Sequence, residues 1–239
     1  MEFNKVSLFL VVSLASCCYL AGALPVSEIV ETNSSENDTN VIRPEFRMHN
    51  NMNGPSTFSV LVSRSVPSIW PYYDDLNTIA GHCVTGTWIT YGFSNYTAGE
   101  FSVGGLIFSS ATESCTGKMW PTFSSFRLVG SPLDIHASTL TTFEGPGYRG
   151  KLTVYSEDQP TLTEPLFGSL IVTGGSPITF FSRENFQGFQ VCIDSPENGV
   201  GGGIREAART LGLLPEDIKS IRFSCNDSVT RVSLERNSG

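Results

Sequence analysis

TFFSRENFQG at 179–188 places one aromatic ring at Phe181, a second five residues on at Phe186, and a glycine two residues later at Gly188. TTFEGPGYRG at 141–150 repeats the arrangement with Phe143, Tyr148 and Gly150. A step of five between rings and seven to the glycine matches neither the period of about 3.6 of a helix nor the alternation of a strand. It fits a folded hairpin corner, where two rings stack and the glycine takes a backbone conformation closed to other residues. A third copy is looser: Tyr91 and Tyr96 lie five apart, but Gly99 comes one residue late.

Around these corners run short β-rich stretches separated by Gly, Pro and Ser: FSVLVS, TWITY, GGLIFSS, FRLVG, LTTF, KLTVY, SLIVTG, ITFF, FQVCI and IRFSC. Many short strands with turn signals between them describe an all-β sandwich or barrel. Only 204–214 (IREAARTLGLL) has a helical stripe, with Ile204, Ala208 and Leu211 on one face. The glycines of 199–203 (GVGGG) precede it, and no Lys-Ser/Thr follows them. A flexible loop-to-helix joint explains them better than a phosphate loop. Aligning the internal copies gives four units, about 57–85, 87–130, 140–174 and 178–226, and pairing them gives two domains.

This arrangement resembles the βγ-crystallins, in which each domain pairs two four-stranded Greek keys. ITFFSRENFQGFQVCI and FEGPGYRG carry the resemblance most fully. IKSIRFSC, FGSLIV and FSSFRLV supply Ser220, Ser169 and Ser125 at the place of the family's closing-strand serine. The resemblance covers 140–226 well and 87–130 in part, whereas 57–85 has no aromatic corner. It implies two all-β Greek-key sandwich domains, a divergent one at 57–136 and a second at 137–226. It also makes Phe143, Tyr148, Gly150, Ser169, Phe181, Phe186, Gly188 and Ser220 scaffold residues, the rings covering the sheet and each serine tying a turn.

Many microbial relatives of this type bind calcium through a loop of two Asp/Asn, two variable residues, then Ser/Thr and Ser, which offers the oxygen ligands a hard cation needs. DDLNTI at 74–79 matches all but the last position, so Asp74, Asp75 and Thr78 are the candidate calcium ligands. The other three units depart, with Trp120-Pro121, Glu164-Pro165 and Pro215-Glu216 in place of the acidic pair and Lys219 where Ser/Thr belongs.

Residues 1–23 have the form of a secretory signal: Lys5, an apolar run from Val6 to Leu20, and the small residues Ala21-Gly22-Ala23. The run is shorter than the ~20 residues a membrane span needs. Residues 24–56 hold six Asn and five acidic residues and read as a disordered, glycosylated linker. Residues 227–239 read as a polar tail. Loss of the signal removes Cys17 and Cys18 and leaves Cys83, Cys115, Cys192 and Cys225, which allow three disulfide connectivities. Pairing inside each half, Cys83–Cys115 and Cys192–Cys225, is expected. Glycosylation sequons stand at Asn33, Asn37, Asn95 and Asn226.

A net charge of −8 without a basic run argues against nucleic acid as a partner. The three histidines, His49, His82 and His136, belong to no metalloprotease or hydrolase motif. The expected function is therefore that of a secreted, non-enzymatic structural or binding protein, calcium-modulated, with an extracellular protein or matrix as partner. The alternative is a defence protein or antagonist, inhibitor-like or toxin-like, acting through exposed loops, with Trp70-Pro71-Tyr72-Tyr73 as the segment to test; for these aromatics and Trp120, packing between the two domains is the favoured reading.

Overall fold

The computed structural model describes residues 41–50, 59–69, 79–97, 105–117, 123–163, 168–197 and 199–234. Thirteen strands and one short helix follow in chain order among them: β1 Glu45–His49, β2 Ser59–Val62, β3 Gly81–Tyr91, β4 Leu106–Gly117, β5 Ser125–Val129, β6 Thr139–Gly145, β7 Arg149–Tyr155, β8 Ser169–Thr173, β9 Ile178–Arg183, β10 Gln187–Ile193, β11 Gly201–Ile204, α1 Ala207–Leu211, β12 Ser220–Arg222 and β13 Thr230–Val232. The architecture is all-β. No helix of the described residues is long and apolar enough to cross a membrane.

The strands form three sheets. The first runs β2–β1–β3–β4, with β5 paired to the second half of β3. The second runs β11–β8–β6–β7 and the third β12–β9–β10–β13. Each aromatic corner turns a hairpin, β6 into β7 and β9 into β10. The closing strand then returns on the far side of the first: β8 beside β6, β12 beside β9. The two units exchange pieces. β11, from the fourth unit, completes the second sheet, and Gln159, from the third, bridges Ile221 in the third sheet. That crossing is the Greek key.

The sheets are stacked in layers because the middle one is apolar on both faces. Along β8, Leu170 and Val172 point into the core shared with the third sheet, together with Leu140, Ile178, Phe180 and Ile193. Ile171, between them, points the other way and joins Ile89, Tyr91, Ile107, Val129, Phe143 and Tyr148. A short run of unbroken apolar residues is what a strand covered on both sides requires. A third cluster, with Phe46, Met48, Val84, Trp88 and Phe126, lies on the opposite face of the first sheet.

Four expectations are corrected by this arrangement. The segment expected to be a disordered linker to residue 56 contains β1, which pairs with both β2 and β3. In Glu45-Phe46-Arg47-Met48-His49 the apolar residues alternate inward, and burial of Phe46 and Met48 offsets the ordering entropy that the mean composition of 24–56 could not. The expected polar tail contains β13, which adds a parallel strand to β10 and sets Val232 and Leu234 against the core. The boundary placed between units at 85–87 falls inside one continuous strand, β3. Its pairing with β4 shifts register between Val84 and Gly86, and Gly86 accommodates the irregularity at φ 81°.

The fourth correction concerns the glycine run, of which Gly201, Gly202 and Gly203 are strand rather than loop. A Cβ at Gly203 would stand 2.6 Å from the Tyr148 hydroxyl and 2.7 Å from Ile107, and one at Gly201 would overlap the Thr87 side chain. Bare backbone lets β11 approach the first sheet closely. The helix is correspondingly short, since Ile204 ends a strand and Gly212, at φ 66°, closes α1 with its N–H on the Ala208 carbonyl.

Candidate functional site

The three corners share one construction. Ring centroids lie 5.5 Å apart for Phe143–Tyr148, 5.8 Å for Phe181–Phe186 and 5.9 Å for Tyr91–Tyr96, each pair edge to face. The second ring of each pair sits on left-handed backbone: φ is 65° at Tyr148, 62° at Phe186 and 58° at Tyr96. Bulky side chains avoid that region, so something must hold them there. A serine on the closing strand does so.

Ser169 accepts from the Tyr148 N–H at 2.8 Å and donates to the Gly145 carbonyl at 2.7 Å. Ser220 does the same for the Phe186 N–H and Arg183 carbonyl, at 3.0 and 2.7 Å. Ser125 repeats it on the Tyr96 N–H and Phe93 carbonyl, at 3.1 and 2.7 Å. Both capacities of each hydroxyl face the backbone. These serines are ties, and chemistry at their Oγ atoms would undo the corner. Gly150 and Gly188, the second residues of β7 and β10, lie at φ 82° and 85°, a conformation that favours glycine.

An arginine completes two corners. Arg222 lies 4.0 Å from the Phe186 ring centroid and Arg127 lies 4.1 Å from that of Tyr96. Each stands two residues after its serine, in Ser220-Ile221-Arg222 and Ser125-Phe126-Arg127. Alternation on a strand places serine and arginine on one face, so the shared Ser-x-Arg pattern was a readable signal that the ring spacing overshadowed. In Ser169-Leu170-Ile171 the same position must fill the core between sheets. There Arg205, from beyond β11, covers Tyr148 at 5.4 Å instead.

The corners also join the first and second sheets. The Tyr91 hydroxyl donates to the Tyr148 carbonyl at 2.6 Å, Arg127 to the Gly150 carbonyl and Arg205 to the Gly105 carbonyl, both at 3.0 Å. Burial holds the Tyr91 phenol well above the ordinary tyrosine range, with Arg127 opposing. It therefore acts as a fixed donor. Burial likewise raises Tyr96, again with Arg127 opposing.

Asp74, Asp75 and Thr78 lie outside the described residues, as do Trp70 to Tyr73, Trp120, Asn33 and Asn37. Asn95 and Asn226 are exposed. The four cysteines form Cys83–Cys115 and Cys192–Cys225, with Cα atoms 4.0 and 5.9 Å apart. Glu113 has a carboxylate oxygen within 4.8 Å of the first pair of sulfurs. Those sulfurs are bonded to each other and offer no thiolate, and Glu113 is paired with Arg47 at 3.3 Å, so the group is a staple and not a metal centre.

A shallow depression of about 560 Å³ lies on the fourth-unit corner, lined by Ser182, Arg183, Glu184, Asn185, Gln187 and Lys219. The positive charges of Arg183 and Lys219 outnumber the Glu184 carboxylate in its lining, which opposes cation binding there. Of the histidines, His136 has its backbone N–H on the Asp134 carboxylate and His49 is half-buried. His82 is buried, its ring stacked on Phe46 at 5.2 Å and 8°, and burial brings its imidazole from the ordinary 6.5 down to about 4.

No protein-family model matches the sequence, and no curated protein matches it. Among solved structures, the chain is similar to geodin, a beta-gamma crystallin from Geodia cydonium, at 18% identity and a TM-score of 0.52. The match covers 75% of this chain and 99% of that one. The fold is that of the βγ-crystallins.

Proposed function

We propose that this chain is an extracellular structural or binding module without enzymatic activity, whose stability is modulated by calcium. The observation that carries the reading is the use of polar side chains at the corners: Ser125, Ser169 and Ser220 each spend their hydroxyl on backbone, and Arg127 and Arg222 cover rings. Side chains committed in this way support a durable scaffold rather than a reaction centre. The two disulfides fit an oxidising, extracellular compartment, and the signal-like residues 1–23 agree with export.

Calcium enters through Asp74, Asp75 and Thr78, whose carboxylates and hydroxyl are the donor set a hard cation selects. A ligand bound only by the native state at a hundred times its dissociation constant stabilises by about 2.7 kcal/mol. The disulfide-intact protein should therefore melt several degrees higher in excess calcium than in chelator, and Asp74→Asn with Asp75→Asn should remove the difference. Identical melts in calcium and chelator would overturn calcium modulation and leave the structural reading standing.

A further inference from the structure

We propose that the β1–β2 hairpin is an acid-sensitive strap, held on the first sheet by the packing of His82 among phenylalanine rings and loosened at mildly acidic pH. Three observations place the device. His82 is 3% exposed, and its neighbours are rings: Phe46 stacked from β1, Phe108 edge-on at 5.3 Å from β4, and Phe123 edge-on at 6.4 Å just before β5. Met48 lies opposite it on β1 and Thr116 opposite it on β4.

Charged groups on these elements face the other way. Strand alternation and register put Glu45, Arg47 and His49 of β1 on the opposite side of the sheet with Cys83 of β3, where Arg47 reaches Glu45 and Glu113 of β4. Arg127 of β5 lies over the Tyr96 ring, also across the sheet. Among the described residues of β1, β3, β4 and β5, no carboxylate shares the face of His82 to compensate a proton there.

The covalent links make the loosening selective. Cys83–Cys115 fastens β3 to β4 directly across the ladder, whereas β2 is paired to β1, and β1 is held to β3 by backbone pairing, to β4 by the Arg47–Glu113 ion pair, and by the burial of Phe46 and Met48. Of those two, Phe46 stacks on the imidazole that acid would charge, and Met48 stands opposite it in the ladder.

The sign follows from linkage. Above pH 6.5 the imidazole is neutral in both states and costs nothing. Between 6.5 and about 4 the opened state takes a proton that the closed box refuses, so closure weakens as pH falls through that window and levels off below it. At pH 5 the opening equilibrium should stand about 30-fold above its value at pH 7.5.

Amide hydrogen exchange on the full, disulfide-intact chain tests this, with intrinsic exchange corrected at each pH. Protection at Phe46 to His49 should fall about 30-fold between pH 7.5 and 5 relative to Leu170 to Val172 in the middle sheet. His82→Leu and His82→Phe, which cannot titrate, should both abolish that pH dependence, while His49→Gln should keep it. An equal fall in the middle sheet, no fall in β1, or a fall that persists in either His82 variant would overturn the proposal.

Discussion

Ser169, Ser125 and Ser220 perform one task in three surroundings, and the surroundings rank their importance. Removing a hydroxyl strands an N–H and a C=O, at about 1–3 kcal/mol for each group left without a partner in the interior. Tyr148 is fully buried and its corner is pressed between two sheets, so water cannot replace Ser169. Ser125 and Ser220 are buried too, but the rings they hold, Tyr96 and Phe186, are only half-buried, so water reaches those two corners more readily. Ser169→Ala should therefore lose about 2–4 kcal/mol in urea denaturation. Ser125→Ala and Ser220→Ala should each lose visibly less. Equal losses at all three would mean that strain at the left-handed ring, rather than desolvation, sets the cost.

The strand β11 shows the opposite use of a residue, where function lies in having no side chain. Gly203→Ala would set a methyl against the Tyr148 hydroxyl and Ile107, two groups fixed by packing on both sides. Overpacking of this kind costs about 1–3 kcal/mol. Gly175 has nothing within 4 Å of its built Cβ, so Gly175→Ala should stay within about 0.5 kcal/mol of the parent. Urea midpoints of the two variants decide the point, and similar losses would sink it. This element also marks how far the sequence could be read. The corners were legible because ring, ring, glycine and serine are local signals with a fixed geometry. β11 was not, because glycine carries no strand propensity and its reason for being a strand lies across the interface, at Thr87 and Ile107. β1 was hidden differently: five alternating residues were averaged into a polar segment. At the corners, the arginines over Tyr96 and Phe186 were written in two Ser-x-Arg triplets, but their role emerges only when strand alternation brings them over the rings.

At the scale of the molecule the middle sheet decides how the chain unfolds. Its two faces serve two cores, so Leu170 and Val172 couple it to the third sheet while Ile171 couples it to the first. The hydrogen bonds from Tyr91, Arg127 and Arg205 run across the same interface. Two sandwich domains joined only by a flexible linker would melt separately; layers that share a sheet should melt together. Fluorescence of Trp88, buried on β3, reports on the first sheet. Ile171→Ala removes a buried side chain from the second sheet and should cost about 2–5 kcal/mol. If the sheets unfold as one, the tryptophan transition and the far-UV circular dichroism transition should move to lower denaturant together and remain superimposed. A tryptophan transition that stays in place while the circular dichroism midpoint falls would show that the first sheet stands by itself, and that the contacts through Phe143, Tyr148 and Ile171 cover it without stabilising it.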